Sequence, residues 1–344
     1  MKKRIEYIDI ARGLGIMLVV IGHSGSPFRN IIYLFHMALF YFISGYFYKD
    51  EYSYNPLSFF KKRIKNLYIP FIKYGLIFLC LHNLFKGMYI YGSTIKYYDL
   101  IKFIKCLINI LTFQNTEELL GTFWFLSSLF IIEIFFSLIS FFIQKFIKKR
   151  KELIRFLIML LCNFLGYMLS LYNICLTRNS HTALSVLWIF YLGYMFKIYE
   201  DKIKNNIYLL ILSFCTLILF NCYGRIELYQ NHYENPFYLF ICSISGIYMI
   251  LYISKLLCIK KINVNFIKYL GRHTLPIMAL HLLTFRFINL VQIIIYKYPL
   301  SYLSKVTINT SYGWWIVYSI LGISISCIFD YIISKCYLLI KKIL

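Results

Sequence analysis

Long apolar segments take up most of this sequence and constrain its fold more than any other feature. A helix needs about 17–25 mostly apolar residues to cross a bilayer. Ten segments are close to that length, at 8–24, 31–48, 69–86, 121–143, 153–174, 183–198, 206–222, 236–253, 273–295 and 312–333. Backbone polar groups in hydrocarbon must be satisfied within the segment, as they are in a helix. We therefore predict an all-α integral membrane protein with about ten transmembrane helices, forming one membrane domain over residues 1–344.

The composition leaves no room for a sizeable soluble domain. Hydrophobic residues make up 60% of the chain and charged residues only 15%, whereas soluble domains are near half apolar and a quarter charged. None of the ten cysteines falls in a C-x-x-C or Cys/His metal pattern. We therefore expect neither a metal site nor a disulfide framework.

The net charge of +23 comes from basic residues in the loops and predicts the topology. With the N-terminus inside, 25 of the 37 Lys and Arg residues lie on the inner side and nine on the outer side. This excess fits the positive-inside rule, so we expect both termini in the cytoplasm and a multi-pass protein of the cell membrane. Topology explains most of the basic residues, and we expect no nucleic-acid partner.

Two segments between the spans are predicted to lie along the membrane. Residues 51–68 combine aromatic and basic side chains on the predicted cytoplasmic side, which is typical of an interfacial amphipathic segment. Residues 97–118 combine apolar and charged side chains on the exterior side. They predict a helix that lies on the bilayer or packs over a site.

The first span carries ionisable residues in a position where they are costly. Such residues inside a membrane segment indicate function by default, and this span holds Asp9, Arg12 and His23. Arg12 and His23 are eleven residues apart, which places them about 20° out of register and about 16 Å apart along a helix. Asp9 lies within about 60° of Arg12 and is expected to pair with it. The simpler alternative is a signal anchor with polar flanks, which requires no shared phase.

A second histidine, His36, begins span two after a turn of seven residues, SGSPFRN. We therefore expect His23 and His36 at similar depth in the outer part of the membrane. Glu133, His281 and Arg286 also lie within spans, need partners at depth and are expected to support the site. His281 and Arg286 either line one cavity or Arg286 extends to the outer interface.

The first two spans resemble those of a known family. Arg12, ten residues and His23 match the R-x10-H motif of the acyltransferase-3 family of membrane-bound O-acyltransferases. The segment FHMALFYFISGYF, at 35–47, is similar to the family's second-helix block, with Ala38 in place of the usual proline.

Three later blocks continue this resemblance along the chain. KKRIKNLYIPF, at 61–71, is similar to the basic segment before helix three, although Asn66 stands where the family usually has the second arginine of R-x-x-R. GTFWFLSSLF, at 121–130, resembles the family's WF-x-x-x-LF block. LGRHTLPIMALH, at 270–281, is similar to a late helix that typically ends in a histidine, here His281.

The resemblance implies an O-acetyltransferase of cell-surface polysaccharides, similar to fucose 4-O-acetylases. Such an enzyme takes an acyl group, usually acetyl from acetyl-CoA, and transfers it to a sugar hydroxyl. The expected partners are membrane lipid, acyl-CoA and a glycan or lipid-linked sugar acceptor. The sequence leaves open whether the protein also forms a homo-oligomer. Acyl-CoA is expected as a donor substrate rather than as a tightly bound cofactor.

The residues themselves agree with that chemistry. Arg12, Lys62, Arg63 and Lys65 are predicted to bind the phosphates of acyl-CoA through charge-assisted hydrogen bonds. His23 is predicted as the general base, because the free pKa of histidine lies near the working pH. Arg12 and His36 complete the predicted catalytic group.

Several alternatives stay open at this point. An exporter or transporter of a glycan or a lipid-linked intermediate also has many helices with buried charges. An acyl-histidine intermediate is an alternative to direct transfer. The sequence does not choose between acetyl, succinyl and other donors, and it does not identify the acceptor.

Overall fold

The structure is a computed structural model that describes residues 5–203, 205–260 and 262–343. Helices dominate these residues. They are α1 Glu6–His23, α2 Arg29–Tyr33, α3 His36–Tyr46, α4 Glu51–Tyr54, α5 Pro56–Arg63, α6 Ile69–Gly87, α7 Leu100–Leu111, α8 Trp124–Phe146, α9 Lys151–Leu171, α10 Ser180–Tyr199, α11 Ile207–Tyr223, α12 Pro236–Ile259, α13 Asn265–Arg272, α14 Thr274–Tyr296 and α15 Trp314–Ile343. A short antiparallel hairpin pairs β1, Ile226–Glu227, with β2, His232–Tyr233.

Seven helical stretches of the described residues are long and apolar enough to cross a membrane. They are Pro56–Gly87, Glu118–Phe146, Lys151–Leu171, Thr177–Lys202, Pro236–Ile259, Thr274–Tyr296 and Trp314–Ile333. These stretches confirm the prediction of an all-α integral membrane protein. The other three predicted spans correspond to α1, with 18 residues, to the 17-residue α11 and to α2 with α3.

The predicted second span, 31–48, is interrupted in the structure. A turn at Leu34 and Phe35 separates the five residues of α2 from the eleven of α3. Phe35 has φ −146° and ψ −18°, and its side chain is buried in the space beside Gly246 of α12. Neither glycine nor proline marks the turn in the sequence, so hydropathy alone predicts a continuous segment.

The chain forms two compact units. The terminal unit consists of Met1–Arg29, Lys73–Phe123 and Lys261–Leu344, and the central unit of Asn30–Ile72 and Trp124–Lys260. In the terminal unit α1 packs against α13, α14 and α15. In the central unit α10 packs against α3, α8 and α9, while α11 packs against α12.

The two segments predicted to lie along the membrane are largely helical. Residues 51–68 contain α4, α5 and a π-helical turn at Ile64–Tyr68, which leads directly into α6. Within residues 97–118 the helix is α7, and the Asp99 carboxylate caps it by accepting a hydrogen bond of 2.7 Å from the backbone N–H of Lys102. A capping side chain of this kind satisfies an N–H that has no partner within the helix.

Glycine brings α3 and α10 of the central unit into direct contact. A Cβ atom on Gly45 would overlap the carbonyl oxygen of Phe190, and a Cβ atom on Gly193 would overlap that of Phe42. Small residues permit this close approach of membrane helices, whose association depends on van der Waals packing. The two backbones therefore lie against each other with no room for a side chain.

Gly45→Ala is expected to destabilise the protein by about 1–3 kcal/mol, because one added methyl group must displace backbone. The measurement is the midpoint of thermal unfolding of the detergent-purified protein. The matched control is Gly121→Ala, since a Cβ atom at Gly121 meets nothing within 4 Å. Equal midpoints for Gly45→Ala and the wild type would show that α3 and α10 can move apart without loss of stability.

Candidate functional site

Helix α1 lies backbone to backbone against α13 at its N-terminal end. A Cβ atom on Gly13 would overlap the carbonyl oxygen of Ile267, and one on Gly271 would overlap the carbonyl oxygen of Asp9. The glycines therefore fix the position of α1 at the level of Arg12. Residues 12–23 are helical throughout, as predicted, so Arg12 and His23 lie about 16 Å apart along one helix.

Opposite charges face each other along α1 and α13. Asp9 Oδ2 lies 3.1 Å from Arg272 Nε, and Glu6 Oε1 lies 3.7 Å from Lys268 Nζ. The structure places Arg272 beside Asp9, and the predicted pair of Asp9 and Arg12 stays a prediction. From the sequence, Arg272 is only one of the 25 basic residues predicted on the inner side, because its acidic partner is 263 residues away.

Two histidines come together at the other end of α1. His23 is the last residue of α1 and His281 lies in the second turn of α14. Their ring centroids are 5.4 Å apart and their planes are inclined by 41°. His23 is partly exposed, whereas His281 is fully buried. α1 therefore meets α13 in its N-terminal half and α14 at its C-terminal end.

The hydrogen bonds of His281 determine which of its nitrogens is free. Nδ1 lies 3.0 Å from the carbonyl oxygen of Ile277. A carbonyl oxygen only accepts, so Nδ1 donates and Nε2 of the neutral ring carries a lone pair. Nε2 is buried and has no hydrogen-bond partner among the described residues.

Neighbouring segments of the terminal unit hold the ends of these helices. Ser319 of α15 donates a hydrogen bond of 3.0 Å to Ser24, directly after His23. Thr122 donates a hydrogen bond of 3.0 Å to the carbonyl oxygen of Met278, one turn before His281. Each of the two helices that carry the histidine pair is therefore held by a neighbouring segment of the same unit.

Arg286, predicted to support the site, has partners of its own in the terminal unit. Its side chain is 4% exposed and lies 3.4 Å from Glu118 Oε1. It also donates a hydrogen bond to the carbonyl oxygen of Lys305. These contacts connect α14 to the segment before α8 and to the loop before α15.

Sequence reasoning missed a polar cluster around His82. His82 Nδ1 lies 2.9 Å from Glu117 Oε2, and His82 Nε2 lies 3.1 Å from the carbonyl oxygen of Lys96. Tyr91 donates a hydrogen bond of 2.7 Å to the same carboxylate. Burial and the Glu117 charge raise the pKa of Tyr91, so this hydroxyl stays protonated as a donor.

In the central unit Arg63 and Glu133 form an ion pair. Arg63 Nη1 and the Ser44 hydroxyl lie 2.9 and 2.7 Å from Glu133 Oε1. Glu133 is 1% exposed, and the Arg63 guanidinium lies 4.7 Å from the centre of the Phe59 ring. We predicted that Arg63 binds acyl-CoA and that Glu133 supports the site. Nothing in the sequence indicates that the two residues pair.

The remaining predicted residues of the central unit lie in different surroundings. Lys62 is exposed and donates a hydrogen bond of 2.7 Å to the Tyr52 hydroxyl. Lys65 is exposed in the π-helical turn that follows Arg63. His36 is 5% exposed and its Nδ1 donates to the carbonyl oxygen of Ile32, 2.9 Å away. His36 thus belongs to the central unit and His23 to the terminal unit.

The chemistry that the described contacts place at His23 is that of imidazole. A neutral imidazole can take a proton from a hydroxyl near pH 7, and a second imidazole lies beside it. Among the described residues, no group of three His, Cys, Asp or Glu side chains is placed to hold a metal ion.

Arg63→Met is expected to destabilise the protein by about 3–5 kcal/mol, because it leaves the buried Glu133 charge without its partner. The double variant Arg63→Met/Glu133→Gln removes both charges and is expected to recover most of that loss. The measurement is again the midpoint of thermal unfolding. Lys61→Met, a change at an exposed neighbour, is the control.

The stable double variant also tests the predicted role of Arg63 in donor binding. An unchanged KM for acetyl-CoA in that variant would show that Arg63 neutralises Glu133 and does not bind the donor. A wild-type unfolding midpoint for Arg63→Met alone would contradict the importance of the ion pair.

Comparison with known proteins agrees with the geometry. The profile of a family described as Acyltransferase domain, Acyl_transf_3, matches residues 5–331, which is nearly the whole chain and includes both units. No curated protein and no solved structure gives a significant match. The chain therefore belongs to the acyltransferase-3 family and is a multi-pass membrane acyltransferase.

Proposed function

We propose that this acyltransferase moves an acyl group, most simply acetyl, from cytoplasmic acyl-CoA to a sugar hydroxyl of an extracytoplasmic polysaccharide or lipid-linked glycan. The observation that carries the proposal is the layout of α1. An arginine lies toward one end of this helix, and a histidine paired with a second histidine lies at the other. The proposal places the reaction in the cell membrane.

Charge and length support acyl-CoA as the donor. The donor carries several phosphates, which a guanidinium binds through strong, charge-assisted hydrogen bonds. The distance of about 16 Å from Arg12 to His23 suits an extended pantetheine arm, whose thioester then arrives beside His23. The roles predicted for Lys62, Arg63 and Lys65 in donor binding, and for His36 in catalysis, stay predictions.

The acceptor needs a base, because a sugar hydroxyl is a poor nucleophile while it keeps its proton. His23 removes that proton as the oxygen attacks the thioester carbonyl. The C–O bond forms, the C–S bond breaks, and the thiolate of CoA takes the proton from His23. Direct transfer requires no covalent bond to the enzyme.

His23→Ala is expected to lower acyl transfer by about 10²–10⁴-fold, which is the usual contribution of general base catalysis. Membranes of cells that make the variant are incubated with radiolabelled acetyl-CoA, and label in the cells' own glycan is counted. Mass spectrometry of the glycan detects the acetyl group directly. Immunoblots of the membrane fraction confirm that the protein is inserted.

The matched control is His232→Ala, since His232 is an exposed histidine of the β2 strand. Wild-type labelling by His23→Ala would refute His23 as the base. If the wild type transfers no label, and cells that lack the protein lose glycan export, the exporter hypothesis is favoured. Succinyl-CoA as a second donor shows whether the site accepts a longer, charged acyl group.

Arg12→Gln is expected to raise KM for acetyl-CoA by about tenfold or more, because it removes a charged hydrogen bond to phosphate. Transfer at saturating donor should fall less than KM rises. Arg29→Gln, a change at an exposed arginine of the same unit, is the control. An unchanged KM in Arg12→Gln, with a fall in maximal rate alone, would assign Arg12 to the chemical step.

A further inference from the structure

His281 presents a buried lone pair that nothing else in the fold accounts for. Its side chain has no exposed surface. Its Nδ1–H donates a hydrogen bond to the carbonyl oxygen of Ile277, while Nε2 has no partner among the described residues. A buried acceptor without a hydrogen bond lowers stability by about 1–3 kcal/mol, and such groups in native proteins require an explanation.

Packing explains the ring of His281 but not its second nitrogen. The ring makes an edge contact with Phe285, with centroids 5.8 Å apart, and a phenyl ring would make that contact equally well. The carbonyl oxygen of His281 accepts a hydrogen bond from Thr284, which any residue could provide. A purely structural role would therefore favour an apolar side chain here.

The ring of His23 is a polar group that lies beside the ring of His281. A centroid separation of 5.4 Å leaves a gap that a small rotation of His23 or one bridging water closes. Catalytic hydrogen bonds are often long in structures without substrate and shorten when the substrate binds. His23 is partly exposed and ends α1, whereas the ring of His281 is enclosed on all sides.

We propose that His281 is a positioning residue, whose Nε2 accepts a hydrogen bond from one ring N–H of His23 during acyl transfer. This inference rests on the proposed function. The hydrogen bond holds the proton of neutral His23 on the side of His281, so the other nitrogen of His23 faces the sugar hydroxyl as a bare lone pair. It also orients the ring, as a carboxylate does in other enzymes that use a histidine base.

The protons balance through the whole transfer. The hydroxyl proton moves to the free nitrogen of His23, and the resulting imidazolium keeps its other N–H on His281. The sugar oxygen bonds to the acyl carbon, and the sulfur leaves as thiolate. The thiolate takes the proton that the hydroxyl gave up, so both histidines return to their neutral forms and His281 never changes its protonation.

The test separates the lone pair from the shape of the ring. His281→Phe keeps a planar ring and removes the acceptor, whereas His281→Gln places an amide oxygen near the position of Nε2. In the membrane assay with varied acetyl-CoA, His281→Phe is expected to lower kcat by about 10–100-fold with KM within about twofold, because a hydrogen bond to a charged group is lost. His281→Gln is expected to recover at least a third of that loss on a logarithmic scale.

His273→Phe is the matched control, because His273 also donates from Nδ1 to the carbonyl oxygen four residues earlier, at 2.9 Å. It should keep the wild-type kcat. Thermal unfolding midpoints of all variants show that they are folded. A kcat of His281→Phe equal to that of the wild type would overturn the inference, as would a folded His281→Gln variant no more active than His281→Phe.

The same assay distinguishes failure of the inference from failure of the proposed function. If the wild type transfers no acyl group, the proposed function is overturned and the role of His281 falls with it. If the wild type is active, His23→Ala is inactive and His281→Phe is unaffected, only the role of His281 is overturned.

Discussion

A charge carried into the apolar interior of a membrane protein needs a partner, because leaving it alone costs several kcal/mol. Three ion pairs, each with at least one buried residue, join segments that are far apart in this sequence: Asp9 with Arg272, Arg286 with Glu118, and Arg63 with Glu133. Each pair lies within one compact unit. The pairs therefore do more than neutralise charge, since they specify which helices are neighbours where hydrophobicity alone does not discriminate.

The helices could be predicted from the sequence, whereas their partners could not. Hydropathy and length locate the long helices, because crossing a bilayer requires both. The turn at Phe35 places its side chain in a space beside Gly246, more than 200 residues away. The residues around Phe35 contain no local signal that predicts this turn. For the same reason Arg272 was counted as a loop charge, and Glu117 was not connected with His82.

For the candidate site, helical phase was the informative signal. The spacing of Arg12 and His23 predicts a shared helix face, and the structure has both residues on one uninterrupted helix. The sequence indicates His281 both by its position within a span and by the family resemblance, but its distance from His23 depends on how α14 packs against α1. A motif alone does not reveal the partner of a basic residue. Arg63 lies in a motif that suits acyl-CoA binding, yet in the structure it pairs with the buried Glu133.

The glycine contact between α1 and α13 has a consequence for the far end of α1. Because Gly13 and Gly271 leave no space between the two backbones, α1 cannot turn about its own axis at that level. A turn by one residue would swing every later side chain by about 100°, enough to point His23 away from α14. The angular alignment of a histidine at the end of α1 is thus set ten residues earlier, where Gly13 of α1 meets Gly271 of α13.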